Sequence, residues 1–383
     1  MTDLRETIAD PLPKLRERTS AKWTTFPDDV LPLFVAEMDY PIATPVAEAL
    51  IARVRASDTG YVGSPGPLGV AFSGFADRRW GWTVDPERVR TTTDVSVAIV
   101  ETLRRVVAGG GGVVVTPPVY PPFFDLVPEA GGMVVEVPLT DDGERFALDL
   151  AGIERAFADG ARAILLCNPH NPLGLVHSRE SLAALADLAA RFGATVVSDE
   201  IHAPLVHERV PFTPFLSVSD AAREWGVCVT SASKGWNLAG TKCAIMVAAS
   251  DRGMRLLDGM PYEVAFRTSL LGLHASVAAF ADGEQWLDES VAAIQQSGER
   301  LAGLLADQLP GVIFRRPQAS YLGWLDFRAL GWGDDPSIRA LESGRVALNA
   351  GHTFGTQGRG FARINFACSP EVLGEAVARL AAS

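Results

Sequence analysis

The chain has 383 residues, 48% of them hydrophobic and 21% charged, with a formal net charge of −12. That length is too great for one ordinary core, and that composition excludes the disordered and fibrous classes. The negative charge is dispersed and no basic run occurs, which argues against a nucleic-acid partner. Cys167, Cys228, Cys243 and Cys368 lie in apolar runs without CxxC spacing and read as reduced core thiols.

The opening Met1-Thr-Asp-Leu-Arg-Glu-Thr7 lacks an apolar stretch behind a basic start, and no run of about 18 apolar residues follows, so a soluble, cytoplasmic protein is expected. The first 45 or so residues, rich in proline and aromatics, are expected to wrap onto a later part of the chain or onto a neighbouring subunit. From about residue 88 to 250, short β-branched runs alternate with helix-length segments. The runs are Val113–Thr116, Met133–Val137, Ala163–Leu166, Thr195–Val197, Val227–Thr230 and Ala244–Val247. Runs apolar on both faces predict a mostly parallel sheet covered by helices, which is α/β architecture. Ser178 to Arg191 carries a capping serine, leucines at helical spacing and a Gly193 stop. Ala108-Gly-Gly-Gly-Gly-Val113 precedes a strand where a phosphate loop would follow one, so it reads as a connector. Beyond residue 284 a long helix to Leu309 and strands at Tyr321–Phe327, Val346–Leu348 and Ala362–Ala367 predict a smaller α+β unit. Residues 45–283 are therefore assigned to a large domain, and 1–44 with 284–383 to a small one.

Ligand clefts in such sheets open at the carboxyl ends of strands. Inspecting those ends yields Asp94 and Ser96, then Thr116-Pro-Pro-Val-Tyr120, Asn168-Pro-His-Asn171, Ser198-Asp-Glu-Ile-His202 and Ser231-Ala-Ser-Lys234. No GxSxG, P-loop, HExxH or well-placed GxGxxG occurs, and no metal-ligand spacing. A lysine, a strand-end aspartate, an asparagine and a tyrosine around a helix N-terminus match the needs of pyridoxal 5′-phosphate (PLP): an amine for a Schiff base, an anion for the ring nitrogen and donors for the phosphate.

The chain resembles fold type I PLP enzymes, and within the class I/II aminotransferase family the cystathionine β-lyase-like branch. The resemblance runs through Val35-Ala-Glu-Met-Asp-Tyr-Pro41, Gly60-Tyr61, Pro118–Phe123, Asn168–Gly174, Ser198–His202, Ser231–Gly240, Ala319–Phe327 and Phe361–Ala367, in family order. It implies a large domain with a seven-stranded sheet sandwiched by helices. It also implies that Lys234 is the Schiff-base lysine and base, Asp199 the partner of the ring nitrogen, and Asn171 and His202 the partners of the cofactor's phenolic oxygen. Tyr120 would stack on the ring. Val95, Ser96, Ser231, Ser233 and Lys242 would hold the phosphate, with Asp94 read as a helix cap facing away. Arg363 would bind the substrate α-carboxylate, assisted by Asn171, and Gly351–Gly360 would position it. Tyr61 would reach across a homodimer interface to the partner's phosphate, and Tyr61 or Tyr120 would assist proton transfer.

The activity so implied is cleavage of an S-substituted L-cysteine to thiol, pyruvate and ammonia. Phe34-Val-Ala-Glu-Met-Asp39 and Thr59-Gly-Tyr61 depart from the family's usual Trp-x-Ala-Asp-Met-Asp and Tyr-Gly-Tyr. Those departures raise the expectation of a bulkier conjugate, such as those processed in lincosamide antibiotic assembly. An aminotransferase or decarboxylating enzyme on the same scaffold, and a PLP-binding regulator without turnover, stay open as alternatives.

Overall fold

The structure is a computed structural model that describes residues 9–383, so the reading of Met1–Thr7 lies outside the described residues. A seven-stranded sheet forms its centre, built from β1 (Val89–Thr92), β2 (Gly112–Val115), β3 (Met133–Glu136), β4 (Ala161–Cys167), β5 (Thr195–Asp199), β6 (Gly226–Thr230) and β7 (Ala244–Val247). The strand order is β1-β7-β6-β5-β4-β2-β3. Pairing from β6 through to β3 is parallel, and β7 runs antiparallel to both its neighbours.

The central strands are sealed on both faces, with every residue of β2, β5 and β6 buried. That is why they read as unbroken apolar runs rather than alternating ones. Two strands depart from this expectation. Met133–Val137 forms an edge strand, so Met133 is 65% exposed. β1, Val-Arg-Thr-Thr, is absent from the expected strands because it has no apolar run, yet Thr91 and Thr92 are buried there. β-branched threonine fits a pleated core surface despite its hydroxyl.

Helices cover the sheet. α1 (Thr44–Arg55) and α2 (Gly66–Trp80) pack on α5 (Leu270–Asp282), while α3 (Val95–Val106) lies against the central strands. α4 (Arg179–Phe192) begins and ends as its sequence predicts: Ser178 accepts from Ser181 N–H, and Gly193 stops it at φ 68°. α6 (Glu284–Gln308) buries Leu287, Val291, Ile294, Leu301 and Leu305 along one stripe and packs against α7 (Pro370–Ala382).

A second, antiparallel sheet contains β8 (Ile313–Phe314), β9 (Leu322–Asp326), β10 (Asn349–Ala350) and β11 (Phe361–Asn365), in the order β8-β9-β11-β10. Val346–Ala347 does not join it but pairs in parallel with Leu31–Pro32. That ladder lays the N-terminal segment on the C-terminal part of the chain, as its composition suggests. Among the described residues, no helix is long and apolar enough to cross a membrane.

Candidate active site

A cavity of about 370 Å³ opens at the carboxyl ends of β2, β4, β5 and β6, and β11 reaches it from the other sheet. Its walls carry Val95, Ser96, Tyr120, Asn171, Asp199, His202, Ser231, Ser233, Lys234, Lys242 and Arg363. Eleven of the twelve expected site residues therefore meet in one place. Tyr61 does not: it is 78% exposed and stacks on Phe266 with ring centroids 4.9 Å apart, outside the cavity of its own chain.

Lys234 sits on a single helical turn, Ala232–Gly235, directly after β6. Its Nζ donates to the Ala36 carbonyl at 2.8 Å. Burial and the Arg363 charge bring its pKa down to about 8, against an ordinary 10.5, so about a tenth is free amine at pH 7, far more than an ordinary lysine offers. The chain has four lysines, and the other three are differently engaged. Lys14 pairs with Asp10 on the surface, Lys22 is sealed against Asp39, and Lys242 pairs with Asp94.

Asp199 ends β5, 5% exposed, with Oδ1 accepting from Ile201 N–H at 3.1 Å. Burial pushes its carboxyl up to about 7, and Lys234 opposes this only as a charge across the cavity. Arg363 is buried in β11 on the opposite wall. It donates to Asn171 Oδ1 at 3.1 Å and to the Phe34 carbonyl at 2.9 Å, while its Nε has no partner. The loop Gly351–Gly360 supports it from below, for Arg363 lies over the Phe354 ring at 5.1 Å. That loop closes on itself so tightly that a Cβ at Gly358 would stand 1.9 Å from the Gly351 carbonyl oxygen. His202 is also buried, held neutral with its pKa near 3 chiefly by desolvation, and its Nδ1 has no partner.

α3 points its N-terminus into the cavity. Asp94 caps it by accepting from Val97 N–H at 3.1 Å, which leaves the Val95 and Ser96 N–H groups without intrahelical acceptors. Two expectations change here. Asp94 does not face away: it lines the cavity, with Oδ2 3.3 Å from Lys242 Nζ, so that ammonium offsets its charge at the anion-binding end. The Ser231 hydroxyl is committed to the backbone, donating to the Cys243 carbonyl at 2.6 Å and accepting from Ser233 N–H at 3.1 Å.

These groups fit PLP. A protonated ring nitrogen would give Asp199 the cation it lacks, and an amine near its pKa suits a Schiff base. Free N–H groups at a helix start suit a phosphate. Arg363 Nε and His202 Nδ1, buried and unpartnered on two cavity-lining residues, leave donor or acceptor capacity unused.

The structure adds residues that strand-end inspection does not reach. Tyr321 donates to the Ala36 carbonyl at 3.1 Å, and Phe34, Val35 and Ala36 form part of the wall. Asn349 stands opposite Arg363 in the β10–β11 register and lines the same cavity. His170, which falls in the strand-end segment Asn168–Asn171 but was given no role there, bridges two site loops, its Nε2 2.8 Å from the Pro118 carbonyl. Tyr321 lies inside one of the family-like motifs, so that motif was its available signal.

The aminotransferase class I and II family matches residues 71–380, and the chain belongs to that family. It is 37% identical to the cystathionine beta-lyase of Corynebacterium glutamicum over 97% of this chain and 98% of that one. It is 35% identical to the cystathionine beta-lyase PatB of Bacillus subtilis, over 93% and 92%. A solved structure, of a candidate PLP-dependent beta-cystathionase from Corynebacterium diphtheriae, is similar at a TM-score of 0.93 and 36% identity, covering 97% of each chain. The fold is that of the fold type I aminotransferases.

Proposed function

We propose that this chain is a PLP-dependent C–S β-lyase that cleaves an S-substituted L-cysteine to a thiol, pyruvate and ammonia. The observation that carries the reading is one cavity holding a depressed lysine amine, a buried aspartate and a partly unpaired buried arginine. When bound, PLP supplies an electron sink for the negative charge left on Cα once a bond there breaks.

The chain's own groups do the rest. Arg363 takes the substrate carboxylate through its fork and so fixes which Cα bond is aligned for cleavage. Asn171 holds that fork from the side through the guanidinium N–H it accepts. Asp199, buried at the end of β5, would hold the cofactor's ring nitrogen in its protonated form. With a pKa near 8, Lys234 Nζ takes the Cα proton and returns it to product or leaving group. On a substrate with sulfur at Cβ, departure of the thiolate is then the direct outcome, and the three-carbon enamine left behind takes up water to give pyruvate and ammonia.

Two further readings belong to this proposal. Residues 45–283 would act as the cofactor-bearing domain against the remainder, and two copies would pair through the face bearing Tyr61. Tyr61 and Tyr262, both exposed and both packed on the half-buried Phe266 ring, support the pairing, because contiguous exposed aromatics mark interaction surfaces. Sedimentation as a monomer at micromolar concentration would remove it.

The lyase reading is tested by incubating the PLP-loaded protein with S-methyl-L-cysteine and no keto acid. Thiol and pyruvate are expected in equal amounts. Amine transfer that requires a keto acid, or CO₂ release, would overturn the lyase in favour of another class on this scaffold. Extending the series to cystathionine and larger thioethers ranks substituent size by kcat/KM, and a clear preference for cystathionine would sink the bulky-conjugate expectation.

A further inference from the structure

The segment Leu33–Met38 runs along the cavity wall as a strap: Leu33 is held by backbone bonds to Ala347 and Asn365, whereas the carbonyls from Phe34 to Met38 accept from side chains elsewhere. The Phe34 carbonyl accepts from Arg363 at 2.9 Å, and the Val35 carbonyl from Asn365 Nδ2 at 2.8 Å. The Ala36 carbonyl accepts from Lys234 at 2.8 Å and from Tyr321 at 3.1 Å. Glu37 offers its carbonyl to Asn365 Nδ2 at 2.6 Å and to Lys22 Nζ at 3.0 Å. Asn237 closes the row by bonding both the N–H and the carbonyl of Met38, a carbonyl that also accepts from the partly exposed Arg18 at 3.2 Å.

Two of these donors, Arg363 and Lys234, are the groups that ligand binding would claim. Once they turn to a carboxylate and a cofactor, the strap keeps only its other bonds. Lys22 is the charged one among those sealed from water, fully buried with its Nζ 2.5 Å from Asp39 Oδ1. Asp39 in turn ties the strap's far end to the segment after β11, through its N–H to the Ala367 carbonyl at 3.0 Å. A buried ion pair is poor value as a source of stability, since a packed apolar pair of similar volume usually holds a fold as well. What such a pair supplies is a fixed position.

We propose that Lys22 and Asp39 form a positioning pair for substrate recognition: they hold the strap in register while Arg363 and Lys234 exchange its carbonyls for ligand. The inference rests on the reading of Arg363 and Lys234 as ligand-binding groups. Without the pair, the strap would follow the two cations as they turn, and the Phe34–Ala36 wall would no longer stand where the substrate meets it. The effect falls on binding, because neither Lys22 nor Asp39 touches the cavity.

The test uses the double substitution Lys22→Met/Asp39→Leu, which removes both charges together. Hydrogen exchange of the cofactor-free protein should quicken about tenfold in the peptide covering residues 33–39 and stay unchanged in the central sheet. In the PLP-loaded protein, the amino-acid concentration that half-saturates the change in cofactor absorbance should rise about tenfold, with kcat within about twofold of the parent. Unaltered strap exchange and half-saturation would overturn the proposal. Should the double variant fail to fold, the parent decides: its strap should stay protected at saturating amino acid, and lost protection there would overturn the proposal equally. Half-saturation reads binding without C–S cleavage, so a protein that binds but does not cleave refutes the lyase reading and leaves this one standing.

Discussion

Lys234→Ala should lower turnover of any S-substituted cysteine by about four orders of magnitude while leaving the protein folded, because a nucleophile and base is removed from a site where no other residue can replace it. Lys242, the other cavity lysine, lies at the opposite, anion-binding end and is engaged with Asp94. Folding should not suffer, since the lost amine is one that burial disfavours in its charged form. The thermal midpoint of the variant, read beside its activity, checks both halves. The parent protein adds a pH test with a fixed sign. The free-amine fraction of Lys234 grows as pH rises towards its pKa of about 8 and saturates above it. Stopped-flow capture of PLP by the stripped protein should therefore climb from pH 6, reach half its maximum at about pH 8 and level off about one unit above. A rate that kept rising through pH 10, where an ordinary lysine titrates, would contradict the depressed amine.

Arg363→Leu comes next in size. Two charge-assisted hydrogen bonds to the substrate carboxylate together contribute about 3–5 kcal/mol, so kcat/KM should fall by about two to four orders of magnitude, mostly through KM. Arg363→Lys should recover only about tenfold of that loss, because an ammonium cannot reproduce the planar fork. The comparison isolates geometry from charge. Equal kcat/KM for the lysine variant and the parent would show that charge alone suffices and would remove Asn171's role in orienting the guanidinium.

The strand-end residues of this cavity were legible in the sequence for a physical reason. Parallel strands buried on both faces write themselves as apolar runs, and the residue after each run falls at one cleft edge by topology. Asp199 after β5 and Lys234 after β6 are neighbours for that reason alone. Arg363, on the second sheet, was legible only through the family-like motif around it, because no local pattern says that β11 faces the first sheet. Tyr61 shows the opposite case, where a motif residue stands outside its own chain's cavity. Asp94 was legible as a cap but not in its direction, since its Lys242 partner is 148 residues away. The Lys22–Asp39 pair was illegible altogether. A lysine in a polar, proline-rich segment reads as solvated, and only the packing of the strap against β11 reveals it as buried.

The cavity's assignment is tested most directly by reducing the PLP-loaded protein with borohydride and mapping the modified peptide by mass. The structure predicts one cofactor per chain, fixed on Lys234 in the peptide that follows β6. Label on Lys14, Lys22 or Lys242 instead, or no fixed cofactor at all, would contradict the assignment of this cavity.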